Sequence, residues 1–210
     1  LQAIKQQVDD AIRQTNQMLA LARADAAALR LAPLDLQALA ERVTRGLWPL
    51  ARSRGIDLGF EPLDGLAQPV EGNEAQLAEA LSNLVHNALV HVPPGGHVTV
   101  QAGREGLHAL LRVVDDGPGM PAADRARAGE RFLRVLRPAE TGVQPLSTPA
   151  AALFQGSQGS GLGLAIASAI VQRHGGTLEL DDAHAHAHAH AHASRPGLVA
   201  TLRWPAQLPA

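Results

Sequence analysis

The clearest pattern along the chain is an amphipathic helix predicted for residues 74–91. Apolar residues recur there at three- and four-residue intervals, so one side of the helix is expected to face a core. These residues are Leu77, Leu81, Leu84, Val85 and Leu89. Asn83 and Asn87 lie one turn apart on a shared face beside that stripe. Because Asn is a poor helix former, the pair indicates either a partly exposed polar edge or a ligand-binding function, such as holding Mg²⁺.

Residues 1–24 show a second helical pattern, without Gly or Pro. Small or apolar residues alternate at four- and three-residue intervals, which is the a/d rhythm of a helix–helix seam. These residues are Ile4, Val8, Ala11, Thr15, Met18 and Ala22. One helix cannot bury such a stripe by itself. The pattern therefore predicts a bundle with upstream sequence or with a second copy of the chain, unless the helix packs on its own domain.

Strands and turns separate the remaining helices. Residues 26–33 are interpreted as a short linker that ends at Pro33. Asp35 is suited to cap a helix over residues 36–54, and Gly55 is suited to end it. Strands are predicted at 56–61, 68–71, 97–102, 109–115, 177–182 and 198–204, the last two as a hairpin.

Two long segments do not fit this alternation. Residues 121–158 are irregular, with a possible helical turn at 128–136, and a loop of this length is usually a functional lid or disordered. Residues 183–193 alternate Ala and His. As a strand, this tract would place every imidazole on one side and could bind Zn²⁺ or Ni²⁺. The alternative is a solvated low-complexity insert, because nothing supplies the hydrogen-bond partners that hold ligating His residues in place.

Composition narrows the function classes. The 210 residues are 46% hydrophobic and 18% charged with a net charge of −2, which is ordinary for a globular domain and argues against a nucleic-acid partner. The chain has no Cys, which excludes disulfides and thiolate chemistry. No apolar run is long enough to span a membrane, and no signal peptide opens the chain. It begins within a helix at Leu1 without Met, so we expect a fragment of a longer protein.

A second candidate motif, VVDDGPGM, covers residues 113–120. A buried strand is predicted to deliver Asp115 to its end, where a carboxylate can accept a hydrogen bond from an exocyclic amine such as that of adenine. Gly117 and Gly119 would let the backbone approach a flat ring closely. Alone the motif is weak, because Asp and Gly are also common turn residues.

A third candidate motif, GSGLGL, covers residues 159–164 and opens a helix predicted for 160–174. Ser160 can cap that helix, and Gly161 and Gly163 leave N–H groups exposed. A helix N-terminus of this kind suits phosphate. The Gly-Lys-Ser/Thr ending of a P-loop is missing, and a flexible loop that enters a helix is the alternative.

Taken together, the order and spacing of these motifs resemble the catalytic and ATP-binding domain of bacterial sensor histidine kinases. This domain belongs to the GHKL superfamily, with gyrase-type and mismatch-repair ATPases. The matching residues are Asn83 and Asn87 (the N box), Asp115, Gly117 and Gly119 (the G1 box), Glu130, Arg131, Phe132 and Arg134 (the F box), and Gly159, Gly161 and Gly163 (the G2 box). His174, Gly175 and Gly176 match the usual ending of the G2 helix.

The resemblance implies an α+β fold. We expect a two-layer α/β sandwich of the Bergerat (GHKL) type, with a mixed sheet packed on helices, preceded by one long N-terminal helix of a dimerisation bundle. Residues 1–30 would form the second helix of the dimerisation and phosphoacceptor hairpin plus a linker. Residues 31–210 would form the catalytic domain, with the ATP lid at about 117–160 and a His-rich insert at 183–193.

The resemblance also implies roles for individual residues, with ATP and Mg²⁺ as cofactors. Asn87 would bind Mg²⁺, Asn83 and Asn87 would be the catalytic residues, and Asp115 would bind the adenine amine between Gly117 and Gly119. The remaining nucleotide-binding residues would be His91, Arg131, Arg134, Ser160, Gly161, Leu162 and Gly163.

Several departures from the family pattern affect these expectations. Val90 stands where the N box usually carries a phosphate-binding Lys, so His91, Arg131 or Arg134 substitutes for it, or activity is reduced. Asp116 is often Asn in relatives, with little expected effect, and the lid is longer than usual. No His precedes His86, so the phosphoacceptor helix is missing.

We therefore expect this fragment to bind Mg-ATP without phosphorylating itself. In the full-length protein it would act as a protein-histidine kinase whose phosphoryl group passes to an Asp of a response regulator receiver domain. Asn83 replaces the Glu that activates water in the hydrolysing relatives, which favours transfer over hydrolysis. The expected partners are that receiver domain and a second copy of the chain through the N-terminal helix bundle. We expect a cytoplasmic location, as part of an inner-membrane sensor that reaches the membrane only through missing segments.

Two alternatives remain open from the sequence. A GHKL ATPase or an anti-sigma-type serine kinase would turn over free ATP or phosphorylate Ser. A degenerate nucleotide-binding or dimerisation module would bind nucleotide without regard to Mg²⁺, or not at all.

Overall fold

Helices and strands alternate along the part of the chain that the structure describes. The structure is a computed structural model and describes residues 29–63, 70–125, 162–183 and 196–206. In chain order the elements are β1 (Ala32–Leu34), α1 (Leu36–Ser53), β2 (Asp57–Pro62), β3 (Val70–Gly72), α2 (Glu74–His91), β4 (His97–Glu105), β5 (His108–Asp115), α3 (Ala122–Arg125), α4 (Gly163–Arg173), β6 (Thr177–Asp182) and β7 (Leu198–Pro205).

Five strands form one mixed sheet in the order β2-β4-β5-β7-β6. The pair β2–β4 is parallel, as expected for strands joined through α2, and the other three pairs are antiparallel. At one end of the sheet, Asp115 is paired on one side with Val98 and on the other with Leu198, and Leu198 is paired with Asp182. The end of β5, where the G1 box begins, therefore lies beside the start of β7.

The helices α1, α2 and α4 pack on one face of this sheet and form the core with it. The five apolar residues predicted for the inner side of α2 are all buried, with exposed fractions between 0 and 2%. Burial of a Leu or Val side chain stabilises a fold by about 1.5–3 kcal/mol. The expected two-layer α/β sandwich with a mixed sheet is thus confirmed.

The predicted helix 36–54 is present as α1. The side chain of Asp35 accepts a hydrogen bond from the Ala38 N–H at 3.0 Å, which is the expected N-cap. Gly55 follows the helix with a φ of +66°, in the left-handed region that Gly adopts without strain. The linker prediction was incomplete, because Ala32 and Pro33 belong to β1, which pairs with β3 far along the chain.

The other predicted strands are present with ends that differ by up to three residues, and 177–182 and 198–205 are paired antiparallel. The predicted helix 160–174 is wrong at its start, since α4 begins at Gly163 with Leu162 as its N-cap. Gly is a poor helix former, which explains the later start. The predictions for residues 1–24, for the lid and for the His tract after Ala183 lie outside the described residues. Within the described ranges, no helix is long and apolar enough to cross a membrane.

A buried histidine joins the two helices that carry the N and G2 boxes. His174 follows α4 and is 1% exposed. Its Nε2 accepts a hydrogen bond from the backbone N–H of Asn73, the N-cap of α2, at 3.0 Å. Its Nδ1 therefore carries the proton and donates to the Ile170 carbonyl at 2.8 Å. The ring also meets the Trp204 ring edge-on, with 6.4 Å between the centroids.

We expect His174→Ala to lower the free energy of unfolding by about 2–4 kcal/mol, because it leaves a cavity and an unpaired N–H at Asn73. Denaturant unfolding measures the effect. His108→Ala, at the half-buried start of β5, is the matched control and should cost less than about 1 kcal/mol.

The wild type and His174→Ala also give a pH prediction. Burial lowers the pKa of His174 below its ordinary value of 6.5. The neutral ring therefore contributes fully to the free energy of unfolding above about pH 6.5. At lower pH the unfolded chain binds a proton at this His, and the contribution is lost. The stability difference between the wild type and His174→Ala should narrow below about pH 6.5. A constant difference would show that the ring is not held neutral.

Candidate functional site

The start of α4 lies against the middle of α2. A Cβ atom built on Gly163 would lie 3.6 Å from Asn83 Oδ1 and 3.7 Å from the Asn83 carbonyl oxygen. No side chain separates the two backbones at this point, because residue 163 is Gly. The Asn83 amide donates a hydrogen bond to the Glu79 carbonyl one turn earlier, at 3.0 Å. The structure thus brings the first N-box Asn together with the last G2-box Gly.

The G1 loop, residues 116–120, lies against the C-terminal end of α2. A Cβ atom built on Gly117 would lie 3.3 Å from Val92 Cγ2 and 3.7 Å from the His91 carbonyl oxygen. Asn87 lies one turn from both Asn83 and His91, so these three residues follow each other along one line of α2. The line connects the contact with Gly163 to the contact with Gly117. The G1 loop and the start of α4 therefore both lie against α2, at its C-terminal end and at its middle.

Asp115 ends β5 as a buried carboxylate, 7% exposed. Its Oδ1 accepts a hydrogen bond from the Gly117 N–H at 2.9 Å, and Leu198 is its strand partner in β7. Burial raises the pKa of Asp115 from 3.8 to about 6, the nearby charge of Asp116 adds to the rise, and the backbone of Gly117 and Leu198 opposes it by hydrogen bonding. At pH 7.5 the group is therefore mostly ionised and can accept a hydrogen bond from a ligand.

Asp116 is turned toward a different part of the fold. Its Oδ1 accepts from the backbone N–H of His97 at 2.7 Å, and its Oδ2 lies 3.0 Å from His97 Nδ1. Both contacts fix the loop to the start of β4. The two consecutive carboxylates therefore have different surroundings, and only Asp115 is bonded to the loops next to the N box.

Two residues that the sequence analysis did not single out belong to this arrangement. Gly197 donates its N–H to the Gly117 carbonyl at 3.0 Å, and Leu198 pairs with Asp115 across the sheet. In the sequence, the Pro-Gly pair before the last strand looks like an ordinary turn signal. Only the strand register, which pairs Leu198 with Asp115, brings it to the site.

The N-terminus of α4 supplies backbone donors. Leu162 is the N-cap and makes no side-chain capping bond. The N–H groups of the first turn, beginning at Gly163, have no carbonyl partner within the helix. An anion is stabilised at such a position by these groups and by the helix dipole. Leu162 itself is 3% exposed, so it takes part through its backbone and not through a surface side chain.

The remaining predicted site residues cannot be placed. Arg131, Arg134, Ser160 and Gly161 lie outside the described residues, as does the rest of the F box. Within the described part of the chain, no cluster of three or more His, Cys, Asp or Glu side chains is positioned to hold a metal ion. The donors near α2 are instead carboxamides and backbone amides. The carboxamide oxygens suit Mg²⁺ that keeps water and phosphate ligands, since Mg²⁺ usually takes only one or two protein ligands, and the backbone N–H groups suit the phosphates.

We expect Asp115→Asn to stabilise the fold at pH 7.5. A folded-state pKa of about 6 against 3.8 means that stability declines as pH rises through this window and that the full cost, about 3 kcal/mol, applies above it. The amide keeps an acceptor for Gly117 and carries no charge. Denaturant unfolding should show that Asp115→Asn has a higher free energy of unfolding than the wild type at pH 7.5, by at most about 3 kcal/mol, and no gain at pH 4.

Asp116→Asn is the matched control for this measurement, because its carboxylate faces His97. Its free energy of unfolding at pH 7.5 should rise by less than that of Asp115→Asn. A variant of Asp115 that is less stable than the wild type at pH 7.5 would contradict the assigned cost of burying this charge.

The chain is similar in sequence to known proteins. MprB of Mycobacterium sp. strain KMS, described as a signal transduction histidine-protein kinase/phosphatase, is 40% identical over 145 residues, which are 69% of this chain and 25% of MprB. The sensor protein IrlS of Burkholderia pseudomallei is 36% identical over 171 residues, 80% of this chain and 33% of IrlS. The chain thus spans a quarter to a third of the length of these relatives.

Solved structures give the same result. A mycobacterial sensor histidine kinase MprB structure aligns with a TM-score of 0.58 and 29% identity, over 85% of this chain and 97% of that one. Full-length ShkA in complex with AMPPNP aligns with a TM-score of 0.71 and 25% identity, over 97% of this chain and 37% of ShkA. A complex of histidine kinase ThkA with response regulator TrrA aligns with a TM-score of 0.67 at 18% identity, over 94% of this chain and 48% of that one, and supports the fold alone.

The sequence profile of one family matches residues 72–208, more than half of the chain. This range contains α2 with its two Asn residues, the G1 loop and the start of α4. The family is an ATP-binding one by its description, and its extent coincides with the region where the three motifs meet. The chain therefore belongs to the family of histidine kinase-, DNA gyrase B- and HSP90-like ATPases.

Proposed function

We propose that this chain is the ATP-binding core of a sensor histidine kinase. It would bind Mg-ATP and transfer the γ-phosphoryl group to a His of the full-length protein, from which the group passes to an Asp of a response regulator. The observation that carries the proposal is that Gly163 and Gly117 both lie against α2, at Asn83 and at the C-terminal end, with the buried Asp115 bonded to Gly117.

Asp115 is proposed to select adenine. An ionised carboxylate accepts hydrogen bonds and cannot donate them, so it suits the exocyclic amine of adenine and not the carbonyl oxygen that guanine carries there. The low exposure of Asp115 strengthens this discrimination, because a mismatched buried group loses its partners without access to water.

The phosphate end is proposed to lie between α2 and the start of α4. The first-turn N–H groups of α4, from Gly163 onward, suit the terminal phosphates. The amide oxygen of Asn87 suits Mg²⁺, which would neutralise phosphate charge when bound. Phosphoryl transfer depends mainly on such positioning and charge neutralisation.

Transfer is proposed in preference to hydrolysis. An Asn cannot act as a general base near neutral pH, and Asn83 holds the position beside Gly163 where hydrolysing relatives carry a Glu. The relatives also support this direction, since MprB is described as a histidine-protein kinase/phosphatase.

Partners are proposed from the same comparisons. A receiver domain is proposed as the acceptor of the phosphoryl group because the chain resembles sensor histidine kinases, and MprB is described as a signal transduction histidine-protein kinase/phosphatase. Homodimerisation through residues 1–24 is proposed from their sequence pattern. A cytoplasmic position within a membrane sensor is proposed because the relatives are several times longer than this chain. The division into a hairpin helix at 1–30 and a catalytic domain at 31–210 belongs to the same proposal.

We expect the chain to bind ATP in preference to GTP, with an affinity that falls as pH decreases through about 6 and Asp115 becomes protonated. Asp115→Asn should lose about tenfold or more of the ATP-over-GTP ratio, about 1.4 kcal/mol. Isothermal titration of both nucleotides measures the ratio. Asp116→Asn, the neighbouring carboxylate bonded to His97, is the matched control and should keep it.

A wild-type chain that binds ATP and GTP equally, or binds neither, would contradict the adenine assignment. Binding that is indifferent to Mg²⁺ would favour the degenerate binding module. Steady turnover of free ATP would favour a GHKL ATPase, and phosphoserine on a protein partner would favour the anti-sigma-type kinase.

We expect Asn87→Ala to remove the Mg²⁺ dependence of ATP binding and to abolish phosphotransfer to an added His-containing phosphoacceptor domain, because the variant lacks the proposed magnesium ligand. Gln172→Ala, at an exposed position near the other end of α4, is the control and should keep both activities. The chain without an added acceptor should not become phosphorylated. Autophosphorylation of these 210 residues would contradict the proposal.

A further inference from the structure

The segment before β7, residues 196–197, lies directly against the loop that follows Asp115. Gly197 donates its N–H to the Gly117 carbonyl at 3.0 Å, and the next residue, Leu198, is the β7 partner of Asp115. Gly117 itself donates its N–H to the Asp115 carboxylate at 2.9 Å. The residue that holds the carboxylate is therefore held in turn by the segment before β7.

Only Gly fits at position 197. Its φ is +62°, a backbone conformation that other residues adopt with strain. A Cβ atom built there would lie 2.3 Å from the Asp115 carbonyl oxygen and 2.7 Å from the Cβ of Ala183. The first neighbour is backbone, which cannot rotate away as a flexible side chain can. A side chain at this position would therefore push the two loops apart.

The contact is equally close from the other loop. Gly119 has a φ of +68°, and a Cβ atom built on it would lie 2.9 Å from the Gly197 carbonyl oxygen and 3.1 Å from Cγ of Pro196. The two loops thus pack backbone to backbone, with a Gly on each side. Such packing fixes the position of the loop whose Gly117 N–H bonds to Asp115.

Orientation of the carboxylate decides what it can recognise. Asp115 is buried, so its direction is set by the protein and not by water. The donors at Gly117 and Leu198 favour its ionised form, against the burial that disfavours it. Displacement of the Gly117 loop would both turn the carboxylate and favour its protonated form, in which an O–H donor replaces one of the acceptor sites that the adenine amine needs.

We propose that Gly197 is a positioning residue for purine selectivity, which acts by holding in place the Gly117 loop, whose N–H is bonded to the carboxylate of Asp115. This inference rests on the proposed function, in which Asp115 binds the adenine amine. It assigns part of the specificity to the connection before the last strand, outside the N, G1, F and G2 boxes.

Gly106 provides a matched control. It lies in the turn between β4 and β5, also with a positive φ, +58°, and a Cβ atom built on it would meet nothing within 4 Å. Gly197→Ala and Gly106→Ala therefore introduce the same backbone strain, about 1–2 kcal/mol. Only Gly197→Ala adds a collision at the site. Both variants are made in the whole chain, and circular dichroism and thermal unfolding establish that each is folded.

ATP and GTP titrations test the proposal. We expect Gly197→Ala to lower ATP affinity about tenfold and to bring the ATP-over-GTP ratio close to that of Asp115→Asn, whereas Gly106→Ala keeps the wild-type ratio. In the Asp115→Asn background, Gly197→Ala should have little further effect on the ratio, because both changes act on the same group. Carboxyl NMR titration should show a higher pKa for Asp115 in Gly197→Ala and an unchanged one in Gly106→Ala.

Pro196→Gly is a second variant, which adds no atom and loosens the same segment. It should lower the ratio in the same direction by a smaller factor, and it decides the question if Gly197→Ala does not fold. An unchanged ratio and an unchanged Asp115 pKa in folded Gly197→Ala, or in Pro196→Gly if it alone folds, would overturn the role of Gly197. A wild type without preference for ATP, or an ineffective Asp115→Asn, would instead overturn the proposed function.

Discussion

The buried charge of Asp115 is the constraint on which the rest of the site depends. Removing a carboxylate from water destabilises its ionised form, here by about 3 kcal/mol as the rise of its pKa from 3.8 to about 6 indicates. Backbone donors at Gly117 and Leu198 limit that cost. They can reach the carboxylate only because the loops approach each other without side chains. The glycines of the G1 loop and Gly197 are therefore structural requirements of one buried anion.

Helix α2 connects this anion to the rest of the fold. One side of the helix is core, and the adjoining line of Asn83, Asn87 and His91 runs from the start of α4 to the G1 loop. At its other end, the N-cap Asn73 is bonded to the neutral ring of His174, which follows α4. The start of α4 thus contacts the middle of α2, and the residue after α4 is bonded to the N-cap of α2, which limits independent movement of Asn83 and Gly163. A rigid arrangement of this kind suits a reaction that depends on positioning more than on covalent chemistry.

Sequence reasoning succeeded where the pattern is local. The apolar stripe of α2, the cap at Asp35, and the strand that ends at Asp115 depend on neighbours within one or two turns, and all are present. It was incomplete where partners are distant. β1 needs β3 some forty residues away for its hydrogen bonds, so its three residues looked like a linker. The start of α4 was placed too early, because a glycine-rich entry does not show where the first helical bond forms.

The sequence by itself determined the family, the α+β class and the residue types of the site, because helix periodicity, capping and glycine-rich loops are written in short stretches of chain. Only the tertiary structure decided which groups meet. It separated Asp115, held between two loops, from Asp116, which is bonded to His97. It also brought Gly197 against Asp115, since strand register across the sheet joins residues that are more than eighty positions apart in the chain. Contacts of this kind depend on how layers pack, and no local pattern records them.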